Sequence, residues 1–125
     1  MLYTGNVSPH FTYGELKCHC CDYNGTTQLL VNQLEVMRQM ACDLFKKETP
    51  IIISCAYRCI AHNRKLGSKD NSFHVKGLAV DVVRIGEWTA DDNHAEIISL
   101  ASRAGFRALR SNGCVHCDLG NMIRR

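Results

Sequence analysis

Between Thr27 and Lys47 the hydrophobic positions recur at three- and four-residue intervals. Leu30, Leu34, Met37, Ala41 and Leu44 fall on one face and predict a long amphipathic helix capped by Thr26 or Thr27. Pro50 stops it. IIISCAYR (51–58) is rich in β-branched residues and predicts a largely buried strand, while CIAHNRKLGSKDNS (59–72) reads as a long polar loop. GLAVDVV (77–83) predicts a second strand. Beyond it, Ile97, Ile98 and Ala101 form an apolar stripe ending at Gly105, so a second helix is expected from about Ala90 to Arg103, with Thr89 and Asp92 at capping-box spacing. FRALR (106–110) and CVHCDLG (114–120) predict two short strands joined through Ser-Asn-Gly as a hairpin. Ahead of these, HFTYGEL (10–16) reads as a turn and short helix, and KCHCCDYNG (17–25) as a cysteine-dense loop closed by Asn-Gly. Nothing repeats. The order helix, strand, strand, helix, hairpin predicts an α+β fold with a small, mainly antiparallel sheet flanked by helices.

Composition narrows the picture. At 125 residues the chain is expected to be one domain spanning residues 1–125, and 46% hydrophobic residues with only two prolines is globular composition. The net charge of +3 arises from fifteen Lys and Arg against twelve Asp and Glu. They are scattered apart from the closing Arg124 and Arg125, so no stripe for nucleic acid stands out. The longest aliphatic run, Ile51–Ile53, is far too short to span a bilayer, and no charged segment followed by an apolar one opens the chain. No membrane partner and no export signal are expected, which fits a product that is cytoplasmic until released or one carried in a virion. No heptad or exposed apolar stripe invites self-association, and a monomer is expected. Eight cysteines without a secretion signal point to metal binding or free thiols before a disulfide framework.

The chemistry gathers around SFHVKGLAVDV (72–82). An ionised carboxylate inside an apolar strand costs several kcal/mol unless a cation or strong donors face it, so Asp81 needs a partner. Strand alternation puts Ala79, Asp81 and Val83 on one face, and Cys114, His116 and Asp118 on one face of the last strand. If these strands are neighbours, His116 approaches Asp81 and the loop histidine His74 closes over both. Two imidazoles and one carboxylate make a catalytic zinc set with a fourth position open for water. The alternative from spacing alone is a solvated His74 with Asp81 paired to an arginine such as Arg58.

SFHVKGLAVD fits the pattern S-x-H-x-x-G-x-A-x-D. In this it resembles the zinc D-alanyl-D-alanine carboxypeptidases and their relatives, which include phage peptidoglycan endopeptidases, the vancomycin-resistance D,D-dipeptidase and the hedgehog signalling domain. HFTYGELKC is similar to the family's opening segment, ISCAYRCIAHN to its S-G-Y-R-x-x-x-x-N stretch and VHCDLG to its closing H-x-D strand. The resemblance implies a hedgehog/DD-peptidase-like fold, a catalytic Zn2+ on His74, Asp81 and His116, and hydrolysis of peptide bonds in peptidoglycan peptides, of carboxypeptidase or endopeptidase type. It implies that Arg58 grips substrate and stabilises the oxyanion, a task suited to a planar, permanently charged fork of donors. Ser72 matches the motif serine and either orients His74, touches substrate or caps its loop. Relatives place a general base three residues before the last histidine, or a histidine two before it; here those positions are Gly113 and Cys114. The base is therefore unassigned, with Asp118 either taking that role or orienting His116. Cys55 is a further departure, a thiol that could crowd the pocket beside Arg58.

Cys18, Cys20 and Cys21 lie together, and Cys59 adjoins Arg58. Phage and prophage members of the family carry a similar cysteine-dense stretch and Arg-Cys pair, which implies that the two loops are tied, by a second structural zinc or a disulfide; unlinked thiols are the alternative. Cys42 is expected in the core. Cys114 and Cys117 point to opposite faces, which argues against a redox pair. Two rival functions stay open: a non-catalytic zinc-holding member that binds peptidoglycan or builds a virion, favoured by Gly113, and a small interaction module stapled by zinc on its cysteines.

Overall fold

Residues 5–123, the side chain of Ile123 excepted, are described by the computed structural model; the closing Arg124 and Arg125 lie outside them. A short hairpin of β1 (Asn6–Ser8) and β2 (Phe11–Thr12) leads into α1 (Tyr13–Leu16) and then the long α2 (Gln28–Phe45). β3 (Ile51–Cys55), α3 (Ile60–Lys65), β4 (Ala79–Ile85), β5 (Trp88–Thr89) and α4 (His94–Arg103) follow. The last elements are β6 (Arg107–Ser111), β7 (Cys114–Asp118) and α5 (Gly120–Ile123). The main sheet runs β3-β4-β7-β6 with β5 added at the end of β4, and every pairing is antiparallel. This is the expected α+β architecture. Val80, Val82, Val115 and Cys117 form a single core with Leu30, Leu34, Met37 and Ala41 of α2 and Ile97, Leu100 and Ala101 of α4. No helix among the described residues is long and apolar enough to cross a membrane.

The predicted periodicity holds along α2 until its last turn. There Phe45, not Leu44, seats the helix, packing edge-on against Trp88 at 5.0 Å, while Leu44 is exposed. Thr27 is the cap: its hydroxyl oxygen accepts from Leu30 N–H. Cys42 is half-buried rather than in the core, where its Sγ accepts from Thr49 N–H across the bend before Pro50. β3 is shorter than expected and only alternately buried, because it is an edge strand with a partner on one side only.

Two elements depart from the sequence reading. The expected polar loop after Arg58 contains α3, which starts where the Cys59 sulfur accepts from His62 N–H. Buried Asn63 holds the following turn through Lys69 O at 2.7 Å, and Arg64 grips Asp70 with two hydrogen bonds. The second helix begins at His94 rather than Ala90. Ala90 N–H is taken by Val83 O, and the Thr89–Asp92 pair closes a turn ahead of the helix, so the capping-box spacing serves the sheet connection instead.

One glycine holds α2 against the segment that carries His74. Gly77 has φ +72°, and a Cβ built there would lie 2.0 Å from the carbonyl oxygen of Gly25. The Gly77 carbonyl in turn accepts both the backbone N–H and the hydroxyl of Thr27, at 2.9 and 3.0 Å, at the start of α2. A left-handed non-glycine residue costs about 1–2 kcal/mol before any overlap is counted. Gly77→Ala is therefore expected to destabilise the protein by more than about 2 kcal/mol in chemical denaturation. Unchanged stability would show that this contact does not constrain the fold.

Candidate metal centre

Sheet register brings the chemical residues into one row. Cys55 pairs with Asp81, Asp81 with His116 and His116 with Leu109, so four strands present these positions side by side. The neighbouring row on the same face is Ala79, Asp118 and Arg107. His74 enters from outside the sheet, on the tight turn that Val75 N–H to Ser72 O and Leu78 N–H to Phe73 O close before β4. Its Nε2 lies 3.2 Å from Asp81 Oδ1, and His116 Nδ1 lies 3.1 Å from the same oxygen. The structure thus gathers His74, Asp81 and His116. Arg58 is not paired with Asp81.

The outward sides of the two rings settle what faces inward. His74 Nδ1–H donates to the Ala56 carbonyl at 2.6 Å, and His116 Nε2–H donates to Asp118 Oδ2 at 2.9 Å. When both rings are neutral, His74 Nε2 and His116 Nδ1 offer only lone pairs, and both aim at an ionised carboxylate oxygen. Such a meeting of acceptors requires a cation, either a proton or a metal. Burial pushes the Asp81 carboxyl up, but once the rings carry a second proton the hydrogen bonds from His116 and His74 outweigh it and hold the group well below the usual carboxylate range. The bond to Asp81 raises His116, against burial and with help from Asp118. An ion bonded at about 2.0–2.1 Å to donors at tetrahedral angles keeps them about 3.3 Å apart, close to the separation of each ring nitrogen from Asp81 Oδ1. The set whose donors all lie within 4.8 Å of one another is Cys55, His74 and Asp81, with His116 joined to it through Asp81. In donor type, two imidazole nitrogens and a carboxylate oxygen suit zinc.

Asp118 stands behind His116 and is fully buried. One oxygen takes His116 and the Arg107 guanidinium at 2.9 Å, and the other takes Gly120 N–H at 2.9 Å. Of the two positions expected for it, beside the cleft or behind His116, it takes the second: it bonds His116 and does not line the cleft. Gly113, at the position of the base in relatives, lies in the two-residue hairpin turn with φ +76°, a conformation that a carboxylate side chain rarely adopts. Ser72 accepts His74 N–H on its hydroxyl at 3.2 Å, so it shapes the histidine turn while also facing the cleft.

That cleft measures about 600 Å³, and His74, Asp81 and His116 form its floor. Its walls carry three cations, Arg58, Lys69 and Arg110, and Asp81 supplies its one carboxylate among the described residues. Arg58 is 9% exposed, with Nε unpartnered and one long contact of 3.5 Å to Ser68 Oγ. No ion pair engages it among the described residues, so the salt-bridge alternative fails. A desolvated guanidinium left unpaired has the chemistry to take an anion.

A family model described as Peptidase M15 matches residues 9–118. The chain belongs to that family. Among curated proteins none matches it. As a member of Peptidase M15 the protein is a zinc-dependent metallopeptidase by family, and the convergent site lies within the matched span. Cys55, which offers a donor within 4.8 Å of His74 and Asp81, is a poor ligand despite that proximity. It sits 3.9 Å from Nδ1 of His74, the nitrogen whose proton the Ala56 carbonyl holds, and it lies outside the cleft wall, so it does not crowd Arg58.

The cysteine loop folds onto α3. Cys18, Cys20, Cys21 and Cys59 have sulfurs within 4.8 Å of one another, and all eight cysteines are free. Burial raises the Cys18 thiol, but hydrogen bonds from the Cys59 and Cys20 backbone and the Cys20 and Cys21 side chains bring it down to about 6. Cys20 moves the other way, to about 12, chiefly through its bond to Cys59. Cys117 is in the core and Cys114 on the site face, as alternation requires. Sequence reasoning missed Arg107, Lys69 and Arg110. Arg107 was within reach: an Asn-Gly turn pairing Ser111 with Cys114 counts back to Arg107 opposite Asp118.

Histidine tautomers check this geometry directly. In the metal-free protein at alkaline pH, long-range nitrogen–proton correlation spectra are expected to show His74 protonated on Nδ1 and His116 on Nε2. The opposite tautomer in either ring would remove the convergence of lone pairs. Because Asp81 raises His116, this ring is expected to lose its charge at higher pH than an ordinary histidine.

Proposed function

We propose that the protein hydrolyses peptide bonds in the peptide stems or cross-bridges of bacterial peptidoglycan, next to a carboxylate-bearing D-amino acid, with one zinc ion held by His74, Asp81 and His116. One observation carries this reading: two imidazole lone pairs and a carboxylate oxygen converge beside a buried guanidinium that has no anion of its own. Bound there, zinc supplies a water of lowered pKa and a Lewis acid for the scissile carbonyl. The chain does the rest. Asp118, held by Arg107, fixes the His116 ring, and the Ala56 carbonyl fixes His74. Arg58 binds the substrate carboxylate or the developing oxyanion through its planar fork. Lys69 and Arg110 draw further carboxylates of the stem to the rim of the cleft. Ser72 keeps His74 in place.

Among the described residues the cleft wall carries no second carboxylate, which favours one other reading, a member that binds peptidoglycan without cutting it. Digestion of purified peptidoglycan followed by mass spectrometry, with metal analysis alongside, separates the two. The wild type is expected to release peptide fragments. His74→Ala is expected to lose one zinc per chain together with all product, and Asp118→Asn to weaken zinc binding about 10–100-fold. Arg58→Ala is expected to lower kcat/KM by roughly 10²–10³-fold with zinc retained. Zinc content unchanged by His74→Ala, with no fragment from the wild type, would sink the peptidase reading. Released terminal D-alanine would mark a carboxypeptidase, and released cross-bridge fragments an endopeptidase.

A further inference from the structure

The four cysteines outside the cleft belong to two segments far apart in the chain. Cys18, Cys20 and Cys21 follow α1, while Cys59 caps α3 immediately after Arg58. The first three are brought together by a reversal in which Cys18 N–H donates to Tyr23 O at 2.7 Å and Asp22 adopts φ +63°. Cys20 Sγ then lies 3.7 Å from Cys18 Sγ and 3.4 Å from Cys59 Sγ, and all four sulfurs stay within 4.8 Å of one another.

We infer that Cys18, Cys20, Cys21 and Cys59 bind a second zinc ion in a closed tetrathiolate site that fastens the loop after α1 to the segment carrying Arg58. A tetrahedral ion with Zn–S bonds of about 2.3 Å separates its sulfurs by about 3.8 Å, which is close to the contacts found. A disulfide joins two sulfurs and leaves the other two of this pocket without a purpose. The backbone is already arranged for thiolates. Cys59 N–H donates to Cys18 Sγ, and His62 N–H donates to Cys59 Sγ, each at 3.4 Å. Sulfur donors select a soft ion over calcium or magnesium, and zinc, without redox chemistry, suits a site in which Cys20 and Cys21 are exposed. With all four positions filled by protein, no water is left to activate, so the ion's work is mechanical.

The consequence for the cleft follows from two backbone hydrogen bonds. Tyr57 N–H donates to Leu16 O, and Arg58 N–H donates to His74 O at 3.2 Å. The segment 57–59 is therefore held by α1, by the histidine turn and, through Cys59, by the cysteine loop. Metal on the cysteines removes slack from the one stretch that sets where the Arg58 guanidinium points.

Cobalt(II) titration into metal-free, reduced protein tests this. Wild type is expected to bind two equivalents, one of them with thiolate-to-cobalt charge-transfer absorption. His74→Ala should bind one and keep that absorption. The Cys20→Ser/Cys59→Ser double variant should bind one and lose it, with a lower Tm than wild-type holoprotein. The charge-transfer band reads the cysteine site alone, so a failure of the cleft to bind metal leaves this inference standing. Absence of the band from the wild type overturns it. So does alkylation of fewer than eight thiols once the chain is unfolded in chelator without reductant, the mark of a disulfide, or isolation of the native protein with iron on the cysteines.

Discussion

An ionised carboxylate in the middle of a sheet dictates the rest of this site. Asp81 lies on β4 between β3 and β7, where burial works against its charge. Two imidazoles face it, and in their neutral form the proton of each is drawn away to the far side, one by a backbone carbonyl and one by another carboxylate. Asp118 is even more deeply buried and needs Arg107 and the Gly120 amide in its turn. The chain of Arg107, Asp118, His116, Asp81, His74 and Ala56 is thus continuous, alternating donors and acceptors up to the central gap. In that gap acceptors meet, and only a cation completes the sequence of charges.

The scaffold contributes stiffness where this arrangement needs it. Four of the six groups stand on paired antiparallel strands, so their separation is set by ladder geometry and is insensitive to loop motion. His74 stands on a turn, and the turn is compensated: Ser72 accepts its amide, its carbonyl takes Arg58 N–H, and Gly77 wedges the end of the turn under the cap of α2. The same carbonyl that anchors Arg58 belongs to the residue that faces Asp81. Arg58 and the cluster of His74, Asp81 and His116 are therefore fastened to each other through the main chain.

The hairpin turn shows a compromise between local conformation and chemistry. Asn112 and Gly113 close β6 onto β7 with two residues, and Gly113 supplies the left-handed conformation that such a turn demands. A carboxylate residue rarely adopts that conformation, and among the described residues Asp81 is the one acid of a cleft rich in cations. Arg107, which the same short turn places opposite Asp118, shows what the tight register provides in exchange.

Much of this architecture is written in local pattern. Three- and four-residue spacing placed α2, alternation put Asp81 beside Ala79 and His116 beside Asp118, and Asn-Gly foretold the last hairpin. The motif SFHVKGLAVD pointed to the right turn and strand, because period and turn chemistry are properties of neighbours along the chain. Local pattern misled where a distant partner intervened. Ala90 was taken by Val83 and left out of α4, Leu44 yielded its seat to Phe45, and a stretch read as loop became α3. Which ring nitrogen of His74 or His116 faces the gap, why Asp118 cannot reach it, and that Arg58 lacks an anion were decided by tertiary structure alone. Each depends on which atoms remote segments bring within about 3 Å, and hydrogen-bond partners at that range are chosen by packing and register, not by spacing in the chain.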